Sequence, residues 1–507
     1  MYETKDVAQG ASGNAATDTD VIVVGGGFSG IGAGIKLREA GFSFVILEKA
    51  ADLGGTWRDN TYPGIAVDIT SFTYSFSFEQ NPHWSRLFAP GNELRAYAHH
   101  CVDKYGIRDA FRFGVEVDKA VFNEAQGTWQ VQAKDGKTWR AKYLIAATGG
   151  LTQPKLPDIP GITEFTGKTM HTARWDHGYP LENKRVAVIG TGATSVQLVP
   201  SIAPVVKQLH VFQRTPIWIL PKPDREIPQW LQWIFAKVPL AQQSVRNVTT
   251  FFTEIVMMLG IVYNKQTPQL IRALEALCMK HLEEQVNDPA VREKLRPNYG
   301  FGCKRPSISN DYLRTFNRSN VELVTDRIER ITPTGILTAD GCEREIDTLV
   351  LSTGFKVYEK GNTPPFEMFG RDGIELGDFW EKNRYQAYEG ASVPGFPNMF
   401  LIWGPYSASG SSWFAMIEAN VHHALRCLKE ARAKNVRLVE VSAEANATYF
   451  ADILARQQNT VFYNQDCSRS NSYYFDKHGD APFYRPSSGI EMWLRARTFP
   501  LSDYRFA

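Results

Sequence analysis

Gly25, Gly27 and Gly30 follow the short β-branched run DVIVV (20–24) in a Gly-x-Gly-x-x-Gly spacing, and Glu48 lies 18 residues beyond Gly30. This set can hold a dinucleotide. Gly25 permits a tight turn, Gly27 lets backbone approach a pyrophosphate, and Gly30 lets helix and strand close together. The helix that opens with Phe28 and Ser29 favours phosphate charge at its N-terminus. Glu48, with Lys49 beside it, is placed to accept from ribose hydroxyls. The spacing returns after RVAVI (185–189) as Gly190, Thr191, Gly192, Ala193, Thr194 and Ser195. Ser195 replaces the third glycine. After the next strand, LHVFQR, no acid follows; Gln213, Arg214 and Thr215 stand there instead. A carboxylate would repel a ribose 2′-phosphate, whereas a guanidinium fork attracts it, so the second site is expected to prefer NADPH over NADH.

Two such turns, 165 positions apart in a chain of 507 residues, imply two nucleotides and more than one packed unit. KYLIAATGG (142–150) and DTLVLSTGF (347–355) each read as a strand ending in a Thr-Gly turn that links neighbouring domains. Residues 222–300 carry helical periodicity in IPQWLQWIFAKV and PQLIRALEALCMKHLEEQV, without strand-like alternation. FPNMFLIWGP (396–405) reads as a returning strand and turn. The expected fold class is α/β, with two Rossmann-like dinucleotide-binding domains. The first spans 20–150 and 385–507, and the second spans 151–221 and 301–384. A helical insertion covers 222–300, and residues 1–19 form an N-terminal tail.

Net charge is only +2, which gives no electrostatic case for a nucleic-acid or membrane-surface partner. Six scattered cysteines, with no Cys-x-x-Cys, argue against a zinc knuckle or a dithiol motif and fit a reducing compartment. No metal site is expected. The first nineteen residues are small and polar, without a signal-peptide core. The most apolar later stretch, IVMMLGIVY from Ile255, is short of a span and follows Glu254. These features suggest a cytoplasmic protein without integral membrane association, and leave open a peripheral contact through that stretch.

FTGKTMHTARWD (165–176) is the stretch that carries a family. Phe165, Gly167, His171, Trp175 and Asp176 complete the pattern F-x-G-x-x-x-H-x-x-x-W followed by Pro or Asp. Gly54, Gly55, Trp57, Tyr62, Pro63, Gly64 and Asp68 supply a second pattern, and GCKRP (302–306) a third. From about residue 20 onward the chain resembles a type I Baeyer–Villiger monooxygenase, a class B flavoprotein monooxygenase.

The resemblance implies FAD in the first fold and NADPH in the second. It implies oxidation of a ketone by dioxygen to an ester or lactone through a flavin C4a-peroxide, with sulfoxidation alongside. It places Arg305 as the catalytic cation, oriented by Asp68. Gly55, Thr56, Trp57 and Tyr62 fall on the FAD side, and Lys304 joins Arg214 and Thr215 at the NADPH 2′-phosphate. His171 is expected to orient the interdomain linker, with Gly167 in a turn and Trp175 packing the joint. The chain departs from the family where many ketone-oxidising relatives carry a serine–tryptophan pair: here Ser472 and Tyr473 stand. A flavin-dependent N- or S-oxygenase without ketone activity, or an NADPH-dependent flavin oxidoreductase, are the alternative readings. The last would need an electron acceptor such as a dithiol. Oligomeric state is not set by the sequence.

Overall fold

The computed structural model describes residues 17–409 and 412–507. The tail read at 1–19 therefore falls outside the described residues up to position 16. Thr17–Thr19, by contrast, belong to the first strand: Thr17–Val24 pairs in parallel from Trp139 through Ala146. The strand starts earlier than its apolar run because backbone pairing extends beyond the residues that face the core.

That strand sits inside a sheet ordered Glu367–Phe369, Val117–Asn123, Thr128–Ala133, Thr138–Ala146, Thr17–Val24, Phe44–Glu48, Phe111–Phe113. Met399–Leu401, the strand read in FPNMFLIWGP, lies parallel to Leu144–Ala146. The edge strand Glu367–Phe369 pairs with Lys119–Val121, so the chain rejoins the first sheet ahead of position 385. The helix Phe28–Glu39 packs on this sheet with nine of its twelve residues buried.

A second sheet, wholly parallel, runs Val321–Val324, Gln208–Phe212, Arg185–Ile189, Thr348–Leu351, Lys168–His171. Its strands read VAVI, LHVF and TLVL because both faces are covered, which removes the need for alternation. The ATGG and STGF turns lie side by side, with Pro154 bridged to Phe355.

Residues 222–300 are helical as read: Gln229–Lys237, Ala241–Met257, Pro268–Gln285 and Pro289–Leu295. One boundary differs. The apolar stretch from Ile255 is the end of a longer helix that continues as a π-helical turn over Met258–Val262. The segment Ala241–Val262 is long and apolar enough, by length and composition, to cross a membrane. Gln242, Arg246 and Glu254 interrupted the apolar run in sequence, yet these are the buried positions, turned onto the protein.

Candidate functional site

The first glycine turn is set by steric contact. Gly25 has φ +113°, and a Cβ there would sit 2.5 Å from the Ala147 carbonyl oxygen. A Cβ on Gly30 would lie 1.9 Å from the Gly25 carbonyl oxygen, so this position must be bare for helix and turn to meet. Gly27 caps the helix without any side-chain bond, which leaves the first-turn N–H groups facing outward. The GGTW segment interlocks with this turn: Gly54 N–H donates to the Gly26 carbonyl at 3.0 Å, and a Cβ on Gly55 would come within 2.9 Å of the Gly27 Cα.

Glu48 is buried and accepts from Gly26 N–H at 2.7 Å, Ala50 N–H at 2.9 Å and Arg58 Nη1 at 3.0 Å. Its carboxylate thus closes the turn as well as facing the site. Arg58, which sequence reading passed over, fixes that carboxylate. The preceding GGTW residues were its only signal.

These residues open onto a cavity of about 970 Å³. Gly25, Gly27, Phe28, Ser29, Glu48, Lys49, Gly55, Thr56, Trp57, Tyr62, Asp68, Ala193, Thr194 and Arg305 all line it. Thus the fold gathers the first nucleotide turn, the second fold's helix start and the Arg305–Asp68 pair around one space. Tyr62 donates to Gln197 Oε1 at 2.9 Å, tying the first fold to the helix Ala193–Ile202. Trp57 Nε1 donates to the Tyr74 hydroxyl at 3.1 Å.

Arg305 and Asp68 are 237 positions apart and form a fork: Nε to Oδ2 at 2.9 Å and Nη2 to Oδ1 at 2.7 Å. Among the described residues Nη1 makes no hydrogen bond, so the pair engages one edge of the guanidinium. The Asp68 charge raises the Arg305 pKa well above its ordinary value, with the Tyr474, Tyr473 and Tyr484 hydroxyls adding to this. Arg305 is therefore a permanent cation at the cavity wall. Burial pushes the Tyr473 hydroxyl up to about 12, so it stays a neutral donor beside that cation. Tyr473 also lines the cavity.

The loop that holds Arg305 is braced from the insertion side. Phe301 N–H donates to Glu275 Oε1 at 2.9 Å, and Trp218 Nε1 to the Tyr299 carbonyl at 3.0 Å. Cys303 and Cys467 form a disulfide, with Cα atoms 5.1 Å apart. The scattered cysteines, which read as fitting a reducing compartment, gave no sign of this pairing. The fold brings together residues 164 apart, which no local spacing could reveal. Neither cysteine lines the cavity, so the pair braces the Arg305 loop against the C-terminal segment rather than meeting a cofactor there.

The second glycine turn repeats the first with one difference. Gly190 has φ +110° and approaches the Ser352 carbonyl. The Ser195 hydroxyl, at the third position, donates back to the Gly190 carbonyl at 2.6 Å. Thr191 likewise donates inward, to the Thr215 carbonyl at 2.8 Å. Each of these hydroxyls is satisfied by the turn itself. A Cβ on Gly192 would meet nothing within 4 Å, so open space lies over the helix start. Gly190, Thr191, Gly192, Ser195, Arg214, Thr215 and Lys304 do not line the large cavity. Lys304 and Arg214 nevertheless share one neighbourhood: burial, aided by the Arg214 charge, lowers the Lys304 pKa to about 8. Thr215 Oγ1 accepts from Asn471 Nδ2 at 2.7 Å, joining the C-terminal loop to this fold.

A model of the pyridine nucleotide-disulphide oxidoreductase family matches residues 22–251. A Baeyer–Villiger monooxygenase of Pseudomonas aeruginosa is 39% identical over 437 residues, covering 86% of this chain and 82% of the relative. A Baeyer–Villiger monooxygenase of Streptomyces coelicolor is 36% identical over 489 residues, covering 96% and 92%. The chain belongs to the Baeyer–Villiger monooxygenase family. Among solved structures, this monooxygenase superposes on a closed cyclohexanone monooxygenase with a TM-score of 0.85 at 28% identity, covering 97% of this chain and all of that one. A cyclohexanone monooxygenase from Rhodococcus sp. Phi1 bound to NADP+ gives 0.84 at 29% identity, with 95% and 97% covered.

The family stretch at 165–176 lies where the two halves of the monooxygenase meet. His171 ends the strand Lys168–His171 beside Leu351, and its ring is 6.1 Å from that of Phe355 in the STGF turn. Its Nδ1 accepts from Ala173 N–H at 3.1 Å, capping a short 3-10 turn. Burial lowers its pKa, so the ring is neutral. Gly167 was read as a turn residue, but its φ is ordinary and close approach sets its identity: a Cβ would strike the Phe165 ring at 2.5 Å and the Asp347 carbonyl at 2.6 Å. Trp175 packs on the core of the second sheet, and Asp176 pairs with Lys168. Arg174, inside the same stretch and unremarked in sequence, lines the cavity.

Replacing His171 by Ala is expected to slow turnover several-fold and to raise the ratio of NADPH consumed to product formed, with FAD retained. Flavin absorbance of the purified variant and product yield per NADPH check this; a variant that emerges colourless would overturn the linker role.

Proposed function

We propose that this chain oxidises a ketone to an ester or lactone at the face of the cavity where Arg305 and Asp68 meet, with Arg305 as the catalytic cation and Asp68 as its positioning residue. It is an FAD- and NADPH-dependent monooxygenase. FAD supplies the chemistry that activates dioxygen, and NADPH supplies the reducing equivalents. Residues 25–30, 48–49 and 55–57 would hold FAD. The turn 190–195, with Arg214, Thr215 and Lys304, would hold NADPH. The fit rests on two helix starts without side-chain caps, each behind a glycine turn that a Cβ would block.

The single observation that carries the reading is the forked Arg305–Asp68 pair at the cavity wall. Carbon migration in such an oxidation passes through negative charge on oxygen. A fixed guanidinium stabilises that charge without reorganisation, and a low-dielectric wall strengthens the effect. Asp68 keeps the fork aimed and leaves Nη1 to the cavity. Tyr473 adds a neutral hydroxyl donor at the same wall. Among the insertion residues, Thr253, Val256, Met257 and Ile261 line the cavity together with Phe301 and Trp413. That largely apolar lining suits a hydrophobic ketone.

The test is a panel of linear, cyclic and aryl ketones and of sulfides, supplied with NADPH and oxygen, with products identified. Esters or lactones are expected. Sulfoxides alone would favour a heteroatom oxygenase. Hydrogen peroxide with every compound would favour an oxidoreductase that does not oxygenate.

A further inference from the structure

The insertion turns an apolar face outward. Along Ala241–Met257 and the turn after it, Val248, Phe251, Phe252, Ile255 and Leu259 recur every three or four residues and are 37–63% exposed. Trp230 and Trp233, one turn apart on Gln229–Lys237, are 64% and 61% exposed. The C-terminal helix Gly489–Thr498 begins beside this helix, where Gly489 N–H donates to Glu254 Oε2 at 2.9 Å. It adds exposed Ile490, Trp493 and Leu494. Exposed large apolar side chains in this number mark an interaction site, and tryptophans suit the boundary between water and lipid.

The helix is seated and does not span. Arg246 is buried and donates to the Phe72 and Ser75 carbonyls at 2.9 Å each, and Gln242 donates to the Asn81 carbonyl at 2.6 Å. One side is therefore bound to protein and the other is free to lie in an interface. Charge chooses among partners. Between Ile227 and Thr253 the sequence has no carboxylate, and its only charges are Lys237 and Arg246. Arg497 lies 3.9 Å from the Trp493 ring. Arg497, Arg426 and Lys429 gather around His422, where together with burial they lower its pKa to about 4. Lys237, one turn after Trp233, and Arg497, beside Trp493, thus set cations next to exposed tryptophans, while the Glu418 carboxylate acts on Arg497 and Glu491 shares its helix. A second copy would set these cations against their own counterparts across a two-fold, whereas anionic headgroups complement them.

Val256 joins this face to the cavity, since it is 42% exposed and also a lining residue, next to Thr253 and Met257. We propose that this face docks the protein on an anionic lipid surface, with the cavity mouth at Val256 turned toward the acyl phase so that its substrate enters from lipid. The docking part stands without the ketone reading; the entry part rests on it.

The full FAD-loaded chain is floated with vesicles of phosphatidylcholine and phosphatidylglycerol, and with vesicles of phosphatidylcholine alone. The wild type should float with the mixed vesicles. Combined Trp230→Gln, Trp233→Gln, Phe251→Ser and Phe252→Ser should lower the bound fraction by about tenfold or more. Combined Lys237→Glu and Arg497→Glu should lose binding to mixed vesicles. Flavin absorbance should be unchanged in both, which shows that they fold. Turnover of a short water-soluble ketone should stay at the wild-type rate, while that of a long-chain ketone presented in vesicles falls with the bound fraction. Docking is overturned if the wild type stays unbound with mixed vesicles or the aromatic variant floats as well as the wild type. It is also overturned if the wild type sediments as a dimer that the aromatic variant breaks, since the face would then join two copies. Flotation needs no turnover, so a chain that floats yet oxidises no ketone counts against the functional reading and lipid entry while leaving docking intact.

Discussion

Arg305→Ala is expected to lower the rate of ester formation by about a hundred- to a thousandfold, the ~3–4 kcal/mol typical of losing one preorganised charge at a developing oxyanion. The loss should fall on oxygenation alone. Arg305 is held by Asp68 at the cavity wall, whereas Gly190, Gly192, Arg214, Thr215 and Lys304 do not line that cavity. NADPH binding and its oxidation in oxygen should therefore persist, with hydrogen peroxide released in place of product. Asp68→Ala should act in the same direction but less strongly, since it removes the aim of the guanidinium and leaves the charge. Arg305→Lys separates the two contributions: an ammonium keeps the charge but loses the fork that Asp68 grips with Nε and Nη2, so an intermediate rate is expected. Parallel measurement of product, NADPH consumption and peroxide checks all three. Ester formation by Arg305→Ala near the wild-type rate would remove Arg305 from the chemistry.

The residues legible in sequence are those whose constraint is local. Gly25 and Gly30 constrain each other across a single turn, with 1.9 Å between a Cβ on one and the carbonyl of the other, so their spacing alone announces the structure. The parallel second sheet was likewise readable, because strands covered on both faces become continuous apolar runs. Arg305 and Asp68 lie at the other extreme. Nothing near Asp68 distinguishes it from a turn residue, since its partner is 237 positions away, and only the family pattern pointed to both. The Cys303–Cys467 bond was invisible for the same reason. Arg58 and Arg174 sit inside motifs whose pattern is carried by glycine, histidine and tryptophan, and nothing in the spacing sets either arginine apart. The apolar stretch from Ile255 reads as short of a span that Glu254 ends, whereas the helix begins at Ala241 and turns Gln242, Arg246 and Glu254 onto the protein. Periodicity gives a helix its two faces without saying which one the fold will cover.

Lys304 gives the second large effect, and its sign follows from its environment. Burial, then the Arg214 charge, lowers its pKa to about 8, so the free protein holds it protonated below that pH and neutral above. A 2′-phosphate favours the protonated form and raises the pKa in the complex. The KM for NADPH should accordingly be flat below pH 8 and climb above it, by up to about tenfold per pH unit until the pKa of the complex is reached. NADH lacks the phosphate, so its KM should show no such rise. Lys304→Gln should raise the NADPH KM at pH 7 by about ten- to a hundredfold, as expected for a charge-assisted hydrogen bond to phosphate, and should flatten the pH profile. Arg214→Ala should weaken NADPH binding and also move the inflection of the profile upward. That movement is only partial, since burial, the larger cause, remains. KM profiles for both nucleotides in the wild type and the two variants test this. An unchanged inflection in Arg214→Ala would mean that the two cations do not share a phosphate. A Lys304→Gln profile that still rises above pH 8 would assign the titration to another group.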